Sequence, residues 1–206
     1  MSAEKKRNFP KWEQFYQEAD MEKLPWFFRD LEPDVRTALK ELDLHKGRAL
    51  DLGTGPGTQA MGLAAIGFDV TATDISQAAV DHARNTAEAA GLEIDWRVDD
   101  ILHTSLTDKF DLIFDRGCFH VLNAKSRPHY VADVSGLLNP GGYLLLKTFI
   151  AKEPEPEGPH RFAPEDIKKY FSPALEIISI RETVFQGTLD PLPRALFAIM
   201  RQPAKS

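Results

Sequence analysis

Asp51-Leu52-Gly53-Thr54-Gly55-Pro56-Gly57 concentrates chemistry-bearing residues in one short stretch. Glycine has no Cβ, so alternating glycines let backbone N–H groups approach a ligand closely where a helix begins. Asp74, about 20 residues on, stands where a carboxylate ending a second strand accepts two ribose hydroxyls. Together these residues describe a nucleoside site. The dinucleotide fingerprint is G-x-G-x-x-G, and Thr58 stands where its third glycine belongs, the wrong register for a pyrophosphate clamp. The turn holds no basic residue and opens on Asp51, which suits a cationic ligand better than a phosphate. Cys118 is the single cysteine, so neither an intramolecular disulfide nor a thiolate-rich zinc site can form, and a reducing compartment fits best. His45, His82, His103 and His129 make no metal-ligand spacing with one another or with Cys118, and no metal is expected.

A glycine turn of this kind needs a strand before it and a helix after it. Arg48 to Leu52 reads as the strand, and a helix starts at Thr58. Phe68 to Thr73 alternates as a second strand with Asp74 at its carboxyl end. Ser76 is placed to cap the next helix, Val80, Ala83 and Ala87 line one face of it, and Gly91 is placed to end it. Glu93 to Val98 and Phe110 to Asp115 give two more strands, the second with the continuous apolar run of a strand buried on both faces. An amphipathic stripe through Tyr130, Val131, Val134, Leu137 and Leu138 stops at Asn139-Pro140-Gly141-Gly142, before a strand from Tyr143 to Phe149. Ala151 to Pro164, rich in proline, reads as a surface loop and candidate lid carrying His160 and Arg161. A short helix from Pro164 to Phe171 and two strands, Leu175 to Phe185 and Ala195 to Arg201, able to pair as an antiparallel hairpin, complete the chain. The alternation predicts an α/β protein on a mostly parallel sheet. Residues 1 to 45, with Trp12, Phe15, Tyr16, Trp26 and Phe27, predict a helical N-terminal cap on a core spanning residues 46 to 203, all one domain.

The chain has 206 residues, 31 acidic against 25 basic, a formal charge of −6 that argues against nucleic acid or an anionic membrane as partner. Its N-terminus has early positive charge but no apolar run behind it, and Ala60 to Val70 falls short of the roughly 18 residues needed to span a bilayer. A soluble, cytoplasmic monomer or homodimer is expected.

At these residues the sequence resembles the class I S-adenosylmethionine-dependent methyltransferases. Asp51 to Gly57 looks like the family's glycine-rich first motif, Asp74 its ribose-binding acid, and Leu138-Asn139-Pro140-Gly141-Gly142 the turn before its fifth strand. The resemblance covers roughly residues 45 to 200. It implies a Rossmann-like seven-stranded, mostly parallel sheet with an antiparallel last strand and helices on both faces. It also implies S-adenosylmethionine as cofactor, held by Asp51, Gly53, Thr54, Gly55, Gly57, Asp74, Ile75, Asp100, Ile101 and Asp115. Within that set Asp51 would lie near the methionine amino group. Asp100 with Ile101 would read the adenine edge, where Asp99 is the competing choice. Asp115-Arg116-Gly117-Cys118-Phe119-His120 is similar to the segment after the fourth strand in the thiopurine, thiol, halide and tellurite-resistance methyltransferases. That similarity points to a small-molecule acceptor with a soft nucleophile.

Asp115, Arg116 and His120 are therefore the catalytic candidates. A thiol with an unperturbed pKa near 8.5 needs no strong general base, whereas an alcohol needs one, for which His120 or Asp115 is placed. Arg116 is a candidate to lower a thiol's pKa or bind a substrate carboxylate. The competing expectations are a small-metabolite O- or N-methyltransferase, a non-catalytic cofactor-binding module and, last because of Thr58, a nicotinamide oxidoreductase.

Overall fold

The computed structural model describes residues 10–151 and 158–204. Eight strands form one sheet: β1 (Arg48–Leu52), β2 (Asp69–Asp74), β3 (Asp95–Val98), β4 (Phe110–Asp115), β5 (Leu138–Ile150), β6 (Arg161–Phe162), β7 (Glu176–Val184) and β8 (Arg194–Arg201). Their order is β3-β2-β1-β4-β5-β8-β7, with the two-residue β6 alongside β5. β1 pairs in parallel with β2 on one side and β4 on the other. The chain order reverses there, the place where an open α/β sheet leaves a crevice beyond its strand ends. β8 runs antiparallel to both β5 and β7, as the hairpin pattern predicts.

Alternation along the strands divides the core between two faces. Leu144 and Leu146 of β5 and Ile113 of β4 pack with Tyr130, Val134, Ile167 and Phe171, from α5 (Arg127–Leu137) and α6 (Pro164–Phe171). Leu145 of β5 with Leu112 and Phe114 of β4 packs on the opposite face, against Val35, Ala38, Ala60 and Leu63 from α2 (Pro33–Glu41) and α3 (Thr58–Ala65). Helices thus cover both faces, and strands buried on both sides carry the unbroken apolar runs read in the sequence.

Local signals fall where the side-chain chemistry needs them. Gly57 has φ +78° as N-cap of α3, and a Cβ there would lie 2.6 Å from Ala83 and 2.8 Å from Trp96. The Ser76 hydroxyl accepts from the Ala79 N–H at 3.2 Å, capping α4 (Gln77–Ala89), and Gly91 follows at φ +68°. A short α1 (Trp12–Glu18) precedes α2, and Trp12 stacks on Tyr16 while Phe15 stacks on Trp26.

Two spans differ from the sequence reading. β5 starts at Leu138, because Leu138 pairs with Phe110 before a register shift, and the Asn139–Gly142 turn becomes a bulge inside the strand. Arg161–Phe162, expected as loop, pairs with Phe149–Ile150. Residues 152–157 of the candidate lid lie outside the described residues. No helix among the described residues is long and apolar enough to cross a membrane.

Phe114 has no exposed surface and belongs to the central strand. Phe114→Ala should lower the unfolding free energy by about 3–5 kcal/mol, read as a lower urea midpoint at unchanged slope.

Candidate active site

Parallel register brings the acidic strand ends together. Leu52 aligns with Thr73 of β2 and with Asp115 of β4, so Asp51, Asp74 and Asp115 stand along one edge of the sheet. Gly53, Gly55 and Gly57 all have positive φ, at +67°, +50° and +78°. The turn they form is pinned to β2 by the Thr54 N–H on the Thr73 carbonyl at 2.8 Å and by the Gly55 N–H on Asp74 Oδ2 at 2.9 Å. Asp74 Oδ1 takes the Ser76 N–H at 2.9 Å. Below the turn, Asp51 Oδ2 accepts from the Thr54 hydroxyl at 2.5 Å and from the Ala60 N–H at 3.1 Å.

The turn is closely covered. A Cβ at Gly53 would stand 3.0 Å from Cys118 Sγ, and one at Gly55 would stand 2.9 Å from the Tyr16 hydroxyl. Burial pushes the Cys118 thiol up, and the charges of Asp115, Asp74, Asp100 and Asp51 push it further. Cys118 is therefore held as a protonated thiol and not a nucleophile. Burial raises Asp74 and Asp115, and lifts Asp51 to about 6 against the opposing bonds from Thr54 and Ala60. Glycine backbone beside the buried carboxylates Asp51, Asp74 and Asp115 suits a ligand that has hydroxyls for Asp74 and positive charge, as the S-adenosylmethionine implied by the sequence has.

Beyond the carboxyl end of β3 Asp100 caps the turn Ile101–His103, with Oδ1 on the Leu102 N–H at 3.0 Å and Oδ2 against His103 Nδ1 at 2.9 Å, while Ile101 is buried. Asp99 Oδ1 is taken by the backbone and hydroxyl of Ser105, at 2.8 and 3.0 Å, so both acids are engaged within their own turns. Ile75, between Asp74 and the cap of α4, is 53% exposed and offers an apolar surface beside the ribose acid.

The three catalytic candidates stand together after β4, but in different employment from that expected. Asp115 accepts from the N–H groups of Gly117, Cys118 and Phe119, at 2.7, 2.7 and 2.9 Å, and from the Tyr130 hydroxyl. Four donors fill a carboxylate, so Asp115 shapes the turn, and its expected alternative use as a base is corrected. Arg116 donates from Nε to Glu32 at 2.6 Å, from Nη1 to the Trp26 carbonyl at 2.9 Å, and from Nη2 to the Gln186 carbonyl. Those bonds occupy one N–H on each of its three nitrogens. His120 is buried against Phe149 and Phe185, at ring separations of 4.9 and 5.8 Å. Burial first, then Arg116 and His160, depresses its pKa to about 3, and its Nδ1 has no partner among the described residues.

Sequence reasoning missed Tyr130, read only as part of an apolar stripe, and Glu13, whose carboxylate accepts from the Ser76 hydroxyl at 2.7 Å and the Ala78 N–H at 3.1 Å. It also missed Glu32 and Lys147, joined at 2.7 Å with neither exposed. A lysine inside the apolar run Tyr143 to Phe149 was the signal to follow, since a buried ammonium needs a carboxylate.

Comparison with known proteins follows this geometry. A methyltransferase domain model matches residues 49–142. The probable S-adenosyl-L-methionine-dependent methyltransferase TehB of Haemophilus influenzae is 27% identical over 127 residues, 60% of this chain and 44% of that protein. Probable thiol methyltransferase 2 of Arabidopsis thaliana is 29% identical over 161 residues, 76% of this chain and 70% of that one. A crystal structure of a SAM-dependent methyltransferase from Anabaena variabilis superposes with a TM-score of 0.76 at 25% identity, covering 98% of this chain and 99% of that one. The chain spans less than half the length of the first curated relatives it matches.

The raised pKa of Asp51 has a definite sign. Its contribution to stability is complete below the unfolded value near 3.8 and is lost as pH rises through about 6. A cation in the recess draws that pKa down, so binding releases a proton. Calorimetry with S-adenosylhomocysteine, whose amino group is charged, should show affinity rising from pH 5 to 7, with proton release between buffers of different ionisation heat. Asp51→Asn should flatten the profile and weaken binding roughly tenfold.

Proposed function

We propose that the chain, similar to methyltransferases over residues 49–142 and beyond, is a class I S-adenosylmethionine-dependent methyltransferase that methylates a small soft nucleophile, foremost a thiol, or else a related chalcogen or halide. When bound, the cofactor supplies a methyl group on positively charged sulfur. Asp51, Thr54 and the backbone of Gly53, Gly55 and Gly57 hold its methionine end. Asp74 takes the ribose hydroxyls beside Ile75, and Asp100 with Ile101 meets the adenine. Asp115 closes the strand-four side by fixing the turn from which Cys118 and His120 project.

One observation carries the acceptor class: among the catalytic candidates no side chain is a competent general base. Asp115 has its lone pairs spent on four donors, and His120, with a pKa near 3, stays neutral and too weakly basic to take a proton from an alcohol. A thiol with an ordinary pKa near 8.5 brings its own thiolate fraction. The protein's work is then positioning, and holding donor and nucleophile aligned at about 3–3.5 Å supplies roughly 7–11 kcal/mol of such a barrier. The aromatic pair Phe149 and Phe185, 4.6 Å apart beside His120, gives the acceptor end an apolar, polarisable wall suited to sulfur. The likeness to proteins named TehB and thiol methyltransferase supports the same acceptor class. An excess of acidic residues favours a small metabolite over nucleic acid, and a lone thiol suits a reducing, cytoplasmic setting.

At saturating cofactor, kcat/KM for a thiol acceptor should rise about tenfold per pH unit below the acceptor's own pKa and level off there, near 8.5 for an ordinary thiol. A series of thiols should move the plateau with their pKa values, and His120→Ala should leave its position alone. A plateau fixed near pH 6 to 7 for every acceptor, abolished by His120→Ala, would instead assign His120 as base and an oxygen or nitrogen acceptor.

A further inference from the structure

We propose that Arg116 is a positioning residue that locks a two-segment cover over the acceptor end of the site, and that Glu32 and Lys147 set its geometry. Two stretches far apart in sequence meet above the carboxyl ends of β4 and β5. The first, Leu24 to Glu32, arrives from α1. The second, Phe185 to Thr188, leaves β7. They are zipped by the Thr188 N–H on the Pro25 carbonyl at 3.1 Å and the Thr188 hydroxyl on the Leu24 carbonyl at 3.3 Å. Gly187 packs so tightly on Pro25 that a Cβ would stand 2.2 Å from its carbonyl oxygen.

Arg116 reaches both segments from below, donating to Trp26 and Gln186 while its Nε sits on Glu32. A guanidinium can donate in three directions within one plane, whereas an ammonium cannot span the same acceptors. The Glu32 carboxylate is bridged to Lys147, whose Nζ also meets Asp34 at 2.6 Å, and Asp34 takes the Thr183 hydroxyl at 2.8 Å. The chain of charges thus runs from β4 through the cap and β5 to β7. With Arg116 and Lys147 answered by Glu32 and Asp34, the device is neutral. Below it, Arg116 and Lys147 lie 5.5 and 5.6 Å from the Phe185 ring, which is held over His120. On the cofactor side the Trp26 indole stands beside the Tyr16 hydroxyl, the group closest over Gly55. One guanidinium therefore fixes the wall that faces the acceptor and, through Trp26, the residue that covers the glycine turn.

The proposal rests on the methyl-transfer reading only for what occupies the space beneath the cover, and the first of its two readouts is independent of activity. Cys118, the single thiol, lies under Tyr16 against Gly53 and reports opening of the cover by its alkylation with iodoacetamide. Arg116→Lys keeps the charge near that thiol and removes the three-way reach. It should speed alkylation about tenfold with an unchanged far-UV spectrum. It should also raise the acceptor KM severalfold while kcat and the affinity for S-adenosylhomocysteine stay within about twofold. Asp34→Asn, a milder cut at the outer end of the network, should shift both readouts the same way by less, and serves if the first variant fails to fold. Unchanged alkylation in the folded variants overturns the proposal, as does a loss confined to kcat, which would return Arg116 to the reacting atoms. Faster alkylation in a protein that transfers to no thiol would keep the cover and remove the thiol-acceptor reading.

Discussion

Acidic residues gathered at the carboxyl ends of neighbouring parallel strands are the constraint on which the rest of the structure depends. Asp51, Asp74 and Asp115 are buried there, and burial raises the pKa of each. Such a group survives folding only if each member is anchored by donors or partly neutralised. The chain uses both remedies. Asp74 is fixed by backbone N–H groups of the glycine turn and of Ser76, Asp115 by those of the turn that follows it, and Asp51 keeps a pKa near 6, so that a cation arriving beside it favours loss of its proton to solvent. The parallel register is what makes the crowding possible, because it ends neighbouring strands at one edge.

That part of the site was legible because it is local. The glycine turn, Asp51 and Asp74 lie within one βαβ unit, and spacing along the chain is enough to state their geometry. Ser76 and Gly91 likewise announce both ends of α4 by rules that act over three or four residues. The sheet order follows from alternation of strand and helix plus a terminal hairpin. The occupation of Asp115, Arg116 and His120 was not legible. Asp115 is filled partly by Tyr130 from a later helix, and Arg116 is met by Glu32, 84 residues away. No periodicity records such pairings. The one clue was Lys147, a charge set in a strand that is otherwise apolar.

Burying Lys147 with Glu32 is not an efficient way to stabilise a core. Desolvating two ions costs about as much as their attraction returns, and an apolar pair of similar volume often does as well. Its value lies in direction. An apolar contact between the cap and β5 would tolerate sliding, whereas a carboxylate shared between an ammonium and a guanidinium permits one arrangement. The segment so fixed carries Trp26, and beyond it Tyr16, onto the glycine turn. Glu13 adds a second anchor by meeting the N-terminus of α4 through Ser76 and Ala78, where a carboxylate interacts favourably with the helix end. The N-terminal segment is thus tied on the cofactor side by one acid and on the acceptor side by another.

On the proposed reading, methyl transfer in a site without a general base places a particular demand on its surroundings. When the protein takes no proton from the acceptor, rate has to come from alignment and from excluding water, which would solvate a thiolate and blunt it as a nucleophile. Both depend on the wall being rigid. His120 meets that demand without adding a charge to the wall. Its ring packs against the touching pair Phe149 and Phe185, neutral because an imidazolium there would face Arg116 without solvent. The burial that removes basicity from His120 also keeps the acceptor end dry. The weak base and the closed cover are therefore one arrangement seen from two sides, and an acceptor that ionises by itself is the substrate chemistry for which that arrangement carries no penalty.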